Sequence, residues 1–376
     1  MKIISRLLFV CLLFYLNLSS YSLNSEEIKA LNKNGQVIKR QDVLNFFRPA
    51  NKALTAEKID TDPIKLREAA IYSLNLLNSS KSNLSTTNPY ILNQRLINID
   101  RVKETLKFII QLVENDQKTN YPYRILDPVF LNIHFSFLRW TGDKESAKNN
   151  GKTIFKDAIY LTHYATFEIV GSYQQSEEYK YALYSIINKN FENDLRFKIS
   201  KQNILKGTLN LPEYKNKVKP LVWLSRDGLE EALMQGTAVV KMPDDKEFVF
   251  CVDKNNGFAY DKNIKDRKDQ KRYWYFKPLN NNQKNKSSNL LDLGGVIFAG
   301  DIYNLGLGKI IAIRYKNRIT RATEMRLGVL ADSGGAFINN LYQLDFYGGI
   351  FTNYDDFYSW VRPMPKNVQA YIVVKK

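Results

Sequence analysis

Three aspartates in the last quarter of the chain stand where a carboxyl group could do acid–base work. Asp301 lies in Ala299-Gly300-Asp301-Ile302-Tyr303-Asn304-Leu305-Gly306-Leu307-Gly308. Asp332 opens Asp332-Ser333-Gly334-Gly335-Ala336-Phe337, and Asp345 lies in Leu344-Asp345-Phe346-Tyr347-Gly348. Short apolar, β-prone runs precede the first two, Val296 to Phe298 and Leu327 to Leu330. Strands ended by Gly-rich turns bring such carboxylates to one rim, where close approach perturbs their pKa values. A carboxyl group tuned in that way is what cleavage of a glycosidic bond requires. An Asp beside Gly also commonly caps its own backbone in a turn, a reading that suits Asp301 and Asp332. Asp345, between Leu344 and Phe346-Tyr347, reads as a strand residue that turn capping does not explain.

The elements that must position these groups change in texture along the chain. Residues 23–150 read as mainly helical. Asp62-Pro63 offers an N-cap with proline at the first helical position, and Ile64, Ala69, Ile71, Leu74 and Leu77 follow at roughly helical spacing. Asp100 similarly precedes Val102, Leu106, Ile109, Ile110 and Val113, with a Ser/Asn/Thr-rich loop from Asn78 to Asn88 between the two stretches. Val129 to Phe137 is apolar and aromatic and reads as a packing edge. From about residue 155 short strands take over: Leu221-Val222-Trp223, Thr237 to Met242, Glu247 to Val252 and, at the end, Ala370 to Val374. Pro243-Asp244-Asp245 makes the turn between the middle pair.

With 376 residues and 44% hydrophobic content, the chain can bury two domains or one elaborate one. Lys2 and Arg6, the apolar run Leu7 to Leu16 and the small residues Ser20-Tyr21-Ser22 read as an export signal. The run is short of the roughly 20 residues a bilayer crossing needs, although retention as an anchor is the alternative. Cys11 lacks the small residue that a lipoprotein cleavage site wants before it. Removing residues 1–22 lowers the net charge of +17 by two and leaves Cys251 as the sole cysteine, which excludes an internal disulfide. The basic balance suits an anionic wall polymer or membrane surface, but Lys and Asn enrichment throughout the chain explains it equally well.

From residue 155 onward the sequence resembles the lytic murein transglycosylases of the MltA type, with their three-aspartate segment. Leu161-Thr162-His163-Tyr164-Ala165-Thr166-Phe167 and Tyr179-Lys180-Tyr181-Ala182-Leu183-Tyr184 resemble the family's Gly-Tyr-Tyr-(Glu/Thr)-Pro and Tyr-Pro-(Leu/Ile)-Tyr segments. Val222-Trp223 through Gln235-Gly236-Thr237-Ala238-Val239 resembles its Trp…Gln-Gly-Ser-Gly-Arg-Val stretch. Lys254-Asn255-Asn256-Gly257 with Tyr260 resembles its Lys-Asn-Gly…Tyr turn, and Asp301, Asp332 and Asp345 fall on the three aspartates. His163 and Phe167 replace the family's Gly and Pro, its Arg after Gln-Gly is missing, and the Asp332 to Asp345 spacing is two residues longer.

The resemblance implies a mainly β fold: a double-psi β-barrel with a smaller inserted β domain, preceded by a helical N-terminal region. The corresponding division is a signal peptide (1–22), a helical region (23–150), the barrel (151–187 and 270–376) and the insert (188–269) forming the other wall of a glycan groove. It implies cleavage of the β-1,4 bond between N-acetylmuramic acid and N-acetylglucosamine in peptidoglycan, with formation of 1,6-anhydromuramic acid. Asp345 would act first as acid and then as base, with Asp332 and Asp301 tuning or orienting it. Thr166, Tyr164, Gln235, Gly236, Asn256, Gly257, Tyr260, Gly334 and Gly335 are the expected substrate contacts. No metal or cofactor is expected. Glycan strands are the expected partner, with cell-wall enzyme complexes through 23–150, and the location is the periplasm or cell envelope. A non-catalytic polysaccharide-binding barrel is the alternative, because the fold alone does not assure activity.

Two other motifs point elsewhere. Asp332-Ser333-Gly334-Gly335 with His163 upstream echoes a serine protease, without the flanking Gly and Pro. Tyr273 to Phe276 among Lys268, Lys271, Arg272 and Lys277 invites a nucleic-acid reading. In an exported protein it reads instead as a half-buried strand with a solvated basic collar, or as rings that stack on sugars. His134 and His163 are the only histidines and read as packing residues, not ligands.

Overall fold

The structure, a computed structural model, describes residues 41–78, 96–259, 261, 263–279, 290–333, 337 and 339–376. The expected export segment, most of the loop from Asn78 to Asn88, and Tyr260, Gly334 and Gly335 lie outside the described residues. The described chain forms two compact units. One holds residues 41–165, 290–349 and 355–376; the other holds 166–279 and 350–354. In chain order the strands are β1 (Phe47–Pro49), β2 (Lys58–Ile59), β3 (Phe135–Trp140), β4 (Ile159–Ser172), β5 (Tyr181–Ile186), β6 (Val218–Leu224) and β7 (Thr237–Lys241). They continue with β8 (Glu247–Asn255), β9 (Trp274–Pro278), β10 (Ile297–Ala299), β11 (Ile310–Lys316), β12 (Thr323–Asp332), β13 (Gln343–Phe351) and β14 (Asn367–Lys375). The fold is mainly β, as the sequence implies.

In the larger unit the strands neighbour one another in the order β1-β3-β14-β11-β12-β10-β13-β4. β14 pairs a second time, Asn367 with Tyr160 and Val368 with Ile159 on β4, so the pairing path comes back to β14. β10 runs parallel to β12 and antiparallel to β13. Such doubly flanked strands are buried on both faces and read as continuous apolar runs; Ile297, Phe298 and Ala299 are all buried. Gly328 on β12 is required by close packing, since a Cβ there would meet the Val296 carbonyl oxygen at 2.7 Å and the Phe298 ring at 2.8 Å.

Helices α1 (Pro63–Asn78) and α2 (Ile99–Lys118) pack against β12 and β14. Asp62 caps α1 as expected, its Oδ1 accepting from the Ile64 and Lys65 amides at 2.9 and 3.0 Å. Leu66, Ala69, Ala70, Ser73 and Leu77 form its buried stripe. The cap of α2 is Asn98, whose Oδ1 accepts from the Asp100 amide at 2.8 Å; Asp100 sits in the first turn, where its charge meets the helix dipole. The N-terminal region is not helical throughout. Helix α3 (Pro128–His134) is capped by Asp127 and leads straight into β3, which pairs antiparallel with β14 from Ala370–Trp140 to Lys375–Phe135. Trp140 is fully buried and its Nε1 donates to the Leu341 carbonyl at 3.0 Å.

In the smaller unit the C-terminal half of β4 pairs in parallel with β7, and β7, β8 and β9 follow as an antiparallel run. β5 pairs with β6, which meets the end of β4. Helix α4 (Arg226–Gln235) is capped by Ser225 and ends at Gly236, whose φ of +75° supplies the left-handed turn into β7. Leu183, Phe191, Leu224, Leu229, Ala238 and Val240 share one core with the aromatic run Tyr273 to Phe276. That run is buried on both faces, not half-buried: Tyr273, Tyr275 and Phe276 are at 0% exposure and Trp274 at 6%. Neither a solvated strand nor a sugar-stacking surface describes it.

Candidate active site

The two later aspartates meet across β10. Ala299 is the register partner of Asp332 on β12 and also of Asp345 on β13. Directly paired residues point to the same face, so both carboxylates flank a single methyl group in a row across three strands. A register irregularity between Phe298 and Ala299 makes this alignment. It leaves Phe298 facing the other way, stacked on Phe346 at 4.6 Å between ring centroids.

Asp345 is fully buried, and among the described residues neither of its oxygens has a hydrogen-bond partner. Burial raises its pKa from 3.8 to about 7, and the charge of Asp332 adds to the rise. The Thr162 hydroxyl beside it opposes the rise, and donates to the Leu344 carbonyl at 3.2 Å. Asp332 is held by donors: among the described residues its Oδ1 accepts from the Ser333 amide and its Oδ2 from the Tyr164 hydroxyl, both at 2.7 Å. Tyr164 lies 4.9 Å from the Tyr347 ring, whose hydroxyl donates to the Leu291 carbonyl.

Asp301 has a different task. It caps the short helix α5 (Ile302–Leu305), its Oδ1 accepting from the Asn304 amide at 3.1 Å. Its Oδ2 accepts from the Asn304 side chain at 2.7 Å and from the Asn340 amide at 2.9 Å. Complete burial raises its pKa to about 6 against the pull of these donors. The chain therefore divides its aspartates into a capping residue, a donor-held carboxylate and a bare buried acid.

His163 faces away from this row. Adjacent strand residues point to opposite sides, and its ring lies 5.7 Å from Trp360 on helix α6 (Tyr354–Val361) and 6.5 Å from Phe346. Burial, helped by Arg326, lowers its pKa to about 3, so it stays neutral. The Ser333 hydroxyl donates to the Gly300 carbonyl at 2.8 Å. The protease-like motif therefore assembles no Ser-His pair. His134 packs on Phe130 and Phe108, and among the described residues no group of His, Cys, Asp and Glu could hold a metal ion.

Among the described residues expected as substrate contacts, Tyr164 hydrogen-bonds one of the carboxylates, that of Asp332. The hydroxyl beside Asp345 is that of Thr162, and Thr166 is buried four residues further along β4. Gln235, Gly236, Asn256 and Gly257 fall in the smaller unit. Gln235 accepts from the Phe167 amide at 2.9 Å and donates to Glu231 at 2.8 Å. Asn256 is completely buried and clamps three backbone groups, donating to the Ile199 and Lys271 carbonyls and accepting from the Tyr273 amide. Asn256→Ala orphans all three, at about 1–3 kcal/mol each. A loss of about 3 kcal/mol or more in urea unfolding is expected, and an unchanged midpoint would refute the clamp. Gly257 takes a φ of +78° against the Phe197 ring. Sequence reasoning missed Thr162 and Gln343, whose only signal is strand alternation with Tyr164 and Asp345.

This arrangement of strands is the fold of the MltA-type lytic murein transglycosylases. A crystal structure of the membrane-bound lytic murein transglycosylase from Agrobacterium tumefaciens matches with a TM-score of 0.55 at 15% identity, covering 84% of this chain and 93% of that one. Escherichia coli MltA with bound chitohexaose matches with a TM-score of 0.53 at 16% identity, over 90% and 97% of the two chains. MltA from Neisseria gonorrhoeae matches with a TM-score of 0.51 at 15% identity, over 83% and 87%. No family model and no curated protein matches the chain. No helix among the described residues is long and apolar enough to cross a membrane.

Proposed function

We propose that the protein is a lytic murein transglycosylase of the cell envelope that cuts peptidoglycan glycan strands through Asp345. The observation that carries this reading is a buried carboxyl group whose oxygens have no hydrogen-bond partner among the described residues and whose pKa is raised to about 7. Such a group is half protonated near neutrality, as an acid that must then serve as base requires. Asp345 gives its proton to the glycosidic oxygen as the bond from muramic-acid C1 breaks. The C6 hydroxyl of the same sugar forms the new bond to C1, closing the 1,6-anhydro ring, and its proton returns to Asp345. Atoms balance without water, so one carboxyl suffices where hydrolases use two.

Asp332 supplies the charge that helps keep Asp345 protonated, and Tyr164 fixes Asp332. Asp301 holds the loop after β10. The pairing path that returns through β14 and β4 supports reading the strands around these residues as the double-psi barrel. Glycan binding agrees with the chitohexaose bound in the Escherichia coli relative. Residues 1–22 would direct export and be removed.

Incubation with purified sacculi tests the reading. Solubilisation by the wild type and none by Asp345→Asn is expected. Co-sedimentation without solubilisation would replace the enzyme by a polysaccharide-binding protein.

A further inference from the structure

We infer that Thr162 and Gln343 form a positioning pair for the Asp345 carboxyl. Gln343 pins a lone pair of the Thr162 hydroxyl and leaves its hydrogen free to turn from the Leu344 carbonyl to Asp345 whenever that carboxyl has released its proton. The inference rests on the proposed acid–base role of Asp345 and adds the groups that make the ionised state tolerable.

The need for a donor comes from the site itself. Both Asp345 oxygens are buried and unbonded, a state suited to the neutral acid and costly for a bare carboxylate. A threonine hydroxyl has one hydrogen and two lone pairs. The Thr162 hydrogen rests on the Leu344 carbonyl at 3.2 Å, long for a hydroxyl donor and easily given up. The Gln343 Nε2 donates to Thr162 Oγ1 at 2.9 Å, which fixes the oxygen while leaving the hydrogen free to rotate. Gln343 and Asp345 are two apart on β13 and share a face.

Gln343 is itself held. It is completely buried, and its Oε1 accepts from Asn340 Nδ2 at 3.3 Å. The Asn340 amide donates to Asp301 Oδ2 at 2.9 Å. A continuous polar chain therefore runs from the capping aspartate to the hydroxyl beside the acid, and it gives Asp301 a part in the site without contact to substrate. The proton of Thr162 never leaves Oγ1; only its direction changes.

Among the described residues, few ionisable groups face Asp345. Asp332 approaches from β12, Tyr164 from β4 with its hydroxyl spent on Asp332, and Tyr347 from β13 with its hydroxyl spent on Leu291. Arg326 and His163 lie on the other face, against Phe346. β10 contributes only the methyl of Ala299.

A titration of the Asp345 carboxyl carbon by NMR, assigned with Asp345→Asn, tests the pair without requiring turnover. The wild-type midpoint is expected near 7. Thr162→Val deletes the donor to the charged form and should raise the midpoint by about one unit, the scale of a charge-assisted hydrogen bond. Thr162→Ser keeps the hydroxyl and should restore the wild-type midpoint. Gln343→Leu should raise it in the same direction by less. An unmoved midpoint in Thr162→Val overturns the inference; if that variant does not fold, an unmoved midpoint in Gln343→Leu does so. Failure of the wild type to cleave glycan would instead overturn the transglycosylase reading and leave the titration result standing.

Discussion

Asp345→Asn is expected to lower glycan cleavage by about 10⁴-fold, the upper end of what one general acid–base group contributes, while the protein stays folded. The amide matches the carboxyl in size, so the packing around Ala299 survives. It can neither protonate the glycosidic oxygen nor take the proton of the C6 hydroxyl, and both halves of the reaction are lost together. Asp332→Asn should be milder, because Asp332 acts through its charge on Asp345. Release of soluble fragments from sacculi, measured beside the circular dichroism of each variant, checks this ranking. Comparable losses in both variants would mean that Asp332 also handles a proton.

The second large effect is on stability. Asp345 is raised from 3.8 to about 7 in the folded protein, so between these values the unfolded chain ionises while the native one holds its proton. A group whose folded pKa is raised contributes stability that is fully present below the unfolded value and is lost as pH rises to the folded value. About three units of displacement correspond to roughly 4 kcal/mol lost from pH 4 to above pH 7. Asp301, raised to about 6, adds a loss of the same sign that is complete at lower pH. Urea unfolding at pH 5 and pH 8 should therefore find the wild type weaker at pH 8. Asp345→Asn should flatten part of that slope and exceed the wild type in stability at pH 8. Parallel curves for the two proteins would mean that Asp345 titrates normally.

Much of the site's outline is written locally in the sequence. Asp301 before Ile302 and Asn304 reads as a capping residue because capping is a local contact, and it caps α5. Asp345 among Leu344, Phe346 and Tyr347 reads as a strand residue, and it lies on β13. Asp62-Pro63 starts a helix for the same local reason. What was illegible depends on partners far along the chain. Phe135 to Trp140 follows directly on a helix, and its strand is defined by β14, more than two hundred residues away. Thr162 acquires its place only when β4 comes to lie beside β13. The choice of Asn98 over Asp100 as a cap turns on a shift of two residues that the flanking pattern does not fix. The basic flanks of Tyr273 to Phe276 suggest a half-exposed run, but they describe the flanks and not the run itself. The pairing of β9 with β8 and the packing of Phe191 edge-on against Tyr275 at 5.6 Å bury it on both faces.

The central claim is that the glycan is cut without water, by one carboxyl. Digestion of purified peptidoglycan in ¹⁸O-labelled water, with the released fragments weighed by mass spectrometry, tests it most directly. Fragments lighter by one water than reducing-end products, ending in 1,6-anhydromuramic acid and free of ¹⁸O, are the expected result. Reducing ends carrying ¹⁸O would contradict it, since a hydrolase needs a second carboxylate to activate that water.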